Sequence, residues 1–176
     1  MPDSSAIDQA LVDKLLADAP LRALMPDGVF MDEAEASLVD GRASTQFVIV
    51  SLVAEHDAPM FGGRAYEDGL YLVKAVELST SVPRNIRAAA ARIDAILDDG
   101  TLEIEGYGLM VMQREERIRH KEPDPQDPAS IRWYHRGGRY QVMASAPAVP
   151  YVPPVVVIDG GAPDTVFLTA LDGGGI

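Results

Sequence analysis

No cysteine occurs in the 176 residues, which excludes disulfides and thiolate metal sites and fits a reducing cytoplasm. No apolar run approaches the roughly 20 residues that a membrane-crossing helix needs. The opening M-P-D-S-S-A-I-D is acidic and lacks the basic start and apolar core of a secretory signal. Histidine is scarce: His56, His120 and His135 show neither an H-E-x-x-H pattern nor any helical ligand spacing. There is no Gly-x-Ser-x-Gly elbow, and Gly62-Gly63 is not followed by the Gly-Lys-Ser/Thr that completes a phosphate loop. Asp124 and Asp127 sit in a proline-interrupted loop without the calcium-loop pattern, and the late D-G-G-A-P-D stretch is not a repeated calcium nonapeptide. Catalysis needs several groups with matched acid–base properties converging on one point. The chain shows no such set, so a non-enzymatic protein without a cofactor or metal is expected.

Basic residues are also in short supply. Fifteen Lys and Arg face 27 Asp and Glu, a net charge of −12, which argues against tight binding to a phosphate backbone. The imbalance is uneven. Residues 1–40 hold nine acids against Lys14 and Arg22, and nothing basic follows Arg139. Arg114, Arg117, Arg119, His120 and Lys121 instead form a local basic stripe. Such a stripe is either a solvated strand face or a contact surface for an acidic neighbour.

With 47% hydrophobic residues, the chain has the material for a folded core. After Asp3-Ser4-Ser5, a helix cap, Ile7, Leu11, Leu15 and Leu16 recur at helical spacing until Pro20 closes the segment. Leu21–Met25 adds a turn, and Phe30 and Met31 tuck into the core. Thr45–Glu55 is a nearly unbroken β-branched and apolar run, expected to be a strand covered on both faces. His56–Gly69 contains Pro59, Gly62, Gly63 and Gly69 and reads as a long connecting loop, whose Phe61, Arg64 and Tyr66 are candidates to anchor a partner. Leu70–Leu78 reads as a second strand. Ser79-Thr80-Ser81 is then expected to cap a helix whose apolar face runs Val82, Ile86, Ala89, Ile93, Ile96, Leu97, with Gly100 as its left-handed stop. Thr101–Glu105 alternates like a short strand. Leu109–His120 starts apolar and ends charged, and its partner is Ile131–Ala144.

In that last stretch, Ile131, Trp133 and His135 fall on odd numbers, whereas Tyr140, Val142 and Ala144 fall on even ones. Side chains alternate faces along a strand, so a change of parity suggests an inserted residue, and Gly137-Gly138 is where a bulge costs least. A Gly-Gly hairpin turn is the other reading. The order helix, two strands, helix, two strands gives an α+β fold with an antiparallel β-sheet and helices on one face, over residues 1–145. Residues 146–176 form a proline-rich linker and a β-rich arm. Its strands, carrying Val155, Val157, Val166 and Leu168, must pack on their own domain or on the sheet edge of another subunit.

From Ile7 to Ala144 the order of motifs resembles the tail terminator, or tail completion, proteins of long-tailed bacteriophages. The matching pieces are L-V-D-K-L-L-A-D-A-P-L-R-A-L, F-G-G-R-A-Y-E-D-G-L-Y-L-V-K-A-V, A-A-A-R-I-D-A-I-L-D-D-G, G-Y-G followed by R-E-E-R-I-R, and Y-H-R-G-G-R-Y-Q-V. The arm after Ala146 lies outside the pattern. The resemblance implies a ring of identical subunits, usually a hexamer, at the head-proximal end of the tail tube. Its partners would be further copies of itself, the tail tube protein and the neck proteins, within a virion assembled in the host cytoplasm. DNA would pass through an acidic lumen without being bound, and no membrane would be involved. The residues expected to meet other subunits or partners are Phe61, Arg64, Tyr66, Arg114, Arg117, Arg136, Arg139, Val155, Val157, Val166 and Leu168. Another head–tail connector, a ligand-binding module, or a hydrolase using His135 with an acid are the alternatives.

Overall fold

The computed structural model describes residues 5–33, 44–60 and 63–145, the side chains of residues 57–60 and 63–65 excepted. The chain runs α1 (Ser5–Ala17), α2 (Ala19–Leu24), β1 (Val29–Met31), β2 (Gln46–Met60), β3 (Gly63–Ser79), α3 (Ile86–Leu97), β4 (Gly108–Pro123) and β5 (Arg132–Ser145). The strands form one sheet in the order β1-β2-β3-β5-β4, antiparallel throughout except that β1 pairs parallel with β2. The fold is α+β.

Ile7, Leu11 and Leu15 of α1, Leu21 of α2, and Ile86, Ala89, Ile93 and Leu97 of α3 are all buried. They meet one face of the sheet, built from Val48, Val50, Tyr71, Val73, Ala75, Tyr140, Val142 and Ala144. At roughly 1.5–3 kcal/mol for each large apolar side chain removed from water, this layer supplies most of the drive to fold. Two tyrosines fasten helices to it. Tyr71 donates to Asp8 of α1 at 2.7 Å and Tyr140 donates to Asp94 of α3 at 2.5 Å. Burial, and then the adjoining carboxylate, holds both phenols well above their ordinary pKa, so they remain donors. Pro20 does not end a helix but opens α2, whose N-cap Asp18 accepts from the Leu21 amide at 2.8 Å.

Several expectations change. His56–Gly69 is not a loop: β2 and β3 continue as a hairpin, pairing Glu55 with Gly69, His56 with Asp68 and Met60 with Gly63. Proline is tolerated because β1 covers β2 only at Val48–Val50, so among the described residues Pro59 lies on an open edge. Thr101–Glu105 forms no strand, only an isolated bridge between Ile104 and Tyr107. Helix α3 begins at Ile86, not after Ser81, and Val82 is 83% exposed. The cap comes from β3. The buried Glu77 carboxylate accepts the amides of Arg84, Asn85 and Ile86 at 3.2, 3.2 and 2.9 Å. At the other end Asp99, with φ 55°, takes the left-handed turn expected of Gly100.

The bulge expected at Gly137-Gly138 is absent. β5 pairs with β3 without a slip from Arg132 to Ser145. The apolar residues change parity because they serve two faces. Tyr140 lies opposite Tyr71 on the helix-covered face, whereas Trp133 and His135 lie opposite Leu78 and Val76 on the other. There Trp133, Phe47 and Phe30 form an aromatic chain with ring centroids 5.9 Å apart at each step. Trp133 Nε1 donates to Asp124 at 2.8 Å, fixing the β4–β5 connection beneath it. The glycines answer a different demand. A Cβ on Gly137 would run into the Val73 carbonyl and stand 2.6 Å from Lys74 Cα, so β3 needs the space. The irregularities are in β4, where the register shifts between Leu109 and Val111 and between Arg114 and Glu116.

Candidate interaction surface

The shift at Glu115 decides which way the basic stripe points. Before it, Arg114 lies opposite Tyr140, on the helix side; after it, Arg117 lies opposite Gly138 and Arg119 opposite Arg136. One extra residue thus carries an even-numbered and three odd-numbered cations, Arg114, Arg117, Arg119 and Lys121, to the same face. His120 and Glu122 fall on the opposite face with His135.

On the helix side, Arg87, Arg119, Lys121 and Arg136 line a cleft of about 400 Å³ between the start of α3 and the strands, floored by Ile86 and Tyr134. A second hollow of about 390 Å³ continues along α3 past Arg87 and Arg119 to Arg117. The half-buried Arg136 has its pKa pushed down by burial and then by the charges of Arg119 and Arg87. No carboxylate among the described residues lies within ion-pair distance of Arg87, Arg119, Lys121 or Arg136. Like charges crowded beside an apolar floor favour an anionic group arriving from outside.

On the other face, His120 and His135 stack with ring centroids 4.1 Å apart and planes within 6°. His135 Nε2 lies 2.9 Å from Glu122 Oε1, while its Nδ1 is buried without a partner. Burial, then the charges of Lys74 and His120, outweigh the pull of Glu122 and lower the His135 pKa to about 4. The ring is therefore neutral at pH 7, with the proton on Nε2 donated to Glu122. Ligand atoms of His120, Glu122 and His135 lie within 4.8 Å of one another. Parallel rings, however, send their lone pairs side by side rather than towards a shared point, so an ion would require His120 to turn.

No known protein family and no curated protein matches the chain. Among solved structures, a chain from the virion of a native gene transfer agent particle superposes with a TM-score of 0.54 at 22% identity. The match spans 80% of this chain and 96% of that one. A second solved structure gives a TM-score of 0.49 at 14% identity, over 81% and 96% of the two chains. The first likeness shows a shared fold.

The residues singled out from the sequence divide into groups. Arg114 serves the fold, holding Asp94 at 2.7 Å and Asp98 at 3.5 Å and so joining β4 to α3. Arg139 pairs with Glu116 at 3.0 Å, both well exposed. Arg117 is 75% exposed and reaches Asp94 only at 4.0 Å. Arg136 lines the cleft. Tyr66 is half-buried in β3, opposite Ala58 and Ser145. Arg64 has its backbone in the same strand, opposite Pro59. Phe61, Val155, Val157, Val166 and Leu168 lie outside the described residues. Arg87 was not singled out, since a lone basic residue at a helix start gives no signal until the strands beside it are placed. Arg119 and Lys121 were visible only as part of the stripe.

Proposed function

We propose that the chain is a structural virion protein, a ring subunit at the head-proximal end of a phage-like tail tube. The observation that carries this reading is the shared fold with a chain of the gene transfer agent virion, which spans 96% of that chain. The order of motifs from Ile7 to Ala144, which resembles the tail terminator proteins, points the same way. In this reading six copies close the ring, end tube polymerisation and present one surface to the neck proteins. Arg64 and Tyr66 of β3, together with Phe61, Arg117, Arg136 and Arg139, belong to the contacts between subunits. The acidic body suits a lumen through which DNA passes without adhering.

Negative-stain microscopy of the purified protein, alone and mixed with tail tubes, tests the proposal. A ring seated at one end of each tube is expected. A protein that stays monomeric and leaves both tube ends bare would overturn it, and a ring bound to portal assemblies but not to tubes would reassign it to the neck.

A further inference from the structure

Helix α3 carries unpaired charge of opposite sign at its two ends. At its start lies the cleft of Arg87, Arg119, Lys121 and Arg136, with no carboxylate partner among the described residues. About 18 Å away, the length of its 12 residues, the turn after α3 holds the exposed acids Asp99, Glu103 and Glu105. These too have no ion-pair partner among the described residues, whereas neighbouring Asp98 is taken by the Arg114 amide and guanidinium. The turn is rigid. Leu102 and Ile104 are each only 7% exposed and seat in the core, which leaves Glu103 and Glu105 pointing outward, and the Asp99 amide donates to the Met112 carbonyl at 3.0 Å. The helix dipole adds negative potential at the turn, whereas at the start of α3 it is met by the Glu77 carboxylate that accepts the first amides, so the positive charge there is that of the side chains.

We infer that the Asp99–Glu105 turn of one copy of this chain docks in the Arg87/Arg119/Lys121/Arg136 cleft of the next. The inference rests on the ring reading and specifies its seam. Donor and acceptor surfaces sit at opposite ends of one helix, so the contact runs head to tail. That is the arrangement that closes into a ring, whereas a two-fold dimer matches one patch with itself. A second copy suits the cleft better than nucleic acid, because a body of net charge −12 repels a phosphate backbone but can present a local acidic turn.

Light scattering behind size exclusion, at low and high salt, reads the outcome. Arg87→Glu with Arg119→Glu, both at exposed positions, is expected to weaken association about tenfold or more. Glu103→Lys with Glu105→Lys should do the same. Mixing the two double variants should restore assembly with the two alternating, since each turn then meets a cleft of opposite charge, and all four changes in one chain should restore it as well. Wild-type assembly by the cleft variant, or failure of the four-fold swap to restore it, overturns this seam while leaving the ring standing. A wild-type chain that is monomeric both alone and on tubes overturns the ring and the seam together.

Discussion

His135 shows how a single ring can tie stability to acidity. In the unfolded chain its imidazole titrates near 6.5, whereas in the native sheet burial holds its pKa at about 4. Between those values the unfolded chain binds a proton that the folded chain refuses, so stability falls as the pH drops from about 6.5 to about 4. Above that window the group contributes nothing to the slope, and below it the loss is complete. Urea unfolding across the interval should show a loss on the order of 2 kcal/mol that His135→Gln largely removes. An unchanged pH slope in the variant would assign the loss to other groups. Pairing the strand that ends at His120 with Ile131–Ala144 was legible in the sequence, and in the structure His135 meets both His120 and Glu122. The sequence could not show that Trp133 and His135 occupy the face away from the helices, because alternation fixes which residues share a face but not what covers it.

At the scale of elements, β3 and α3 are joined by a contact the sequence conceals. Glu77 belongs to a strand, yet it does the work of an N-cap for a helix that begins nine residues later. Ser79-Thr80-Ser81 looked like the cap because Ser and Thr usually bond amides two or three residues on. Here Ser79 Oγ accepts only from the Ser81 amide, at 3.2 Å. Glu77→Ala would leave three amides at the helix start without an acceptor, at a cost of about 2 kcal/mol. Glu77→Gln, which keeps one carbonyl oxygen, should lose about half as much. Chemical denaturation gives both values, and hydrogen exchange should show the first turn of α3 opening first. Equal protection in all three proteins would mean that Glu77 is not the cap. Helices α1 and α3 were legible from their apolar spacing, as were the cores of β2 to β5, whereas α2 was read only as a turn and β1 was not foreseen. The hairpin was not, since Gly, Pro and Asp normally mark loops, and only an unpaired neighbouring edge explains why β2 accepts Pro59.

For the molecule as a whole, the described core is built from residues 7–144, and every described element lies between Ser5 and Ser145. A chain ending at Ser145 should therefore fold cooperatively, with a melting temperature within a few degrees of the full chain. Differential scanning calorimetry and circular dichroism would show this. A molten, dye-binding product would mean that residues 146–176 complete the domain.

The two register shifts in β4 have a consequence beyond aiming arginines. Among the described residues β4 ends the sheet, so its outer amides and carbonyls would ordinarily invite another strand to zip alongside. Extra residues at Met110 and Glu115 break the spacing of that ladder, and the Arg, Lys and Glu beyond them surround it with charge. Copies of this chain are thereby steered away from fusing their sheets into fibrils. A seam made by side chains can be loosened by salt and re-formed in a corrected position, which lets an assembly repair a wrongly seated subunit before it closes.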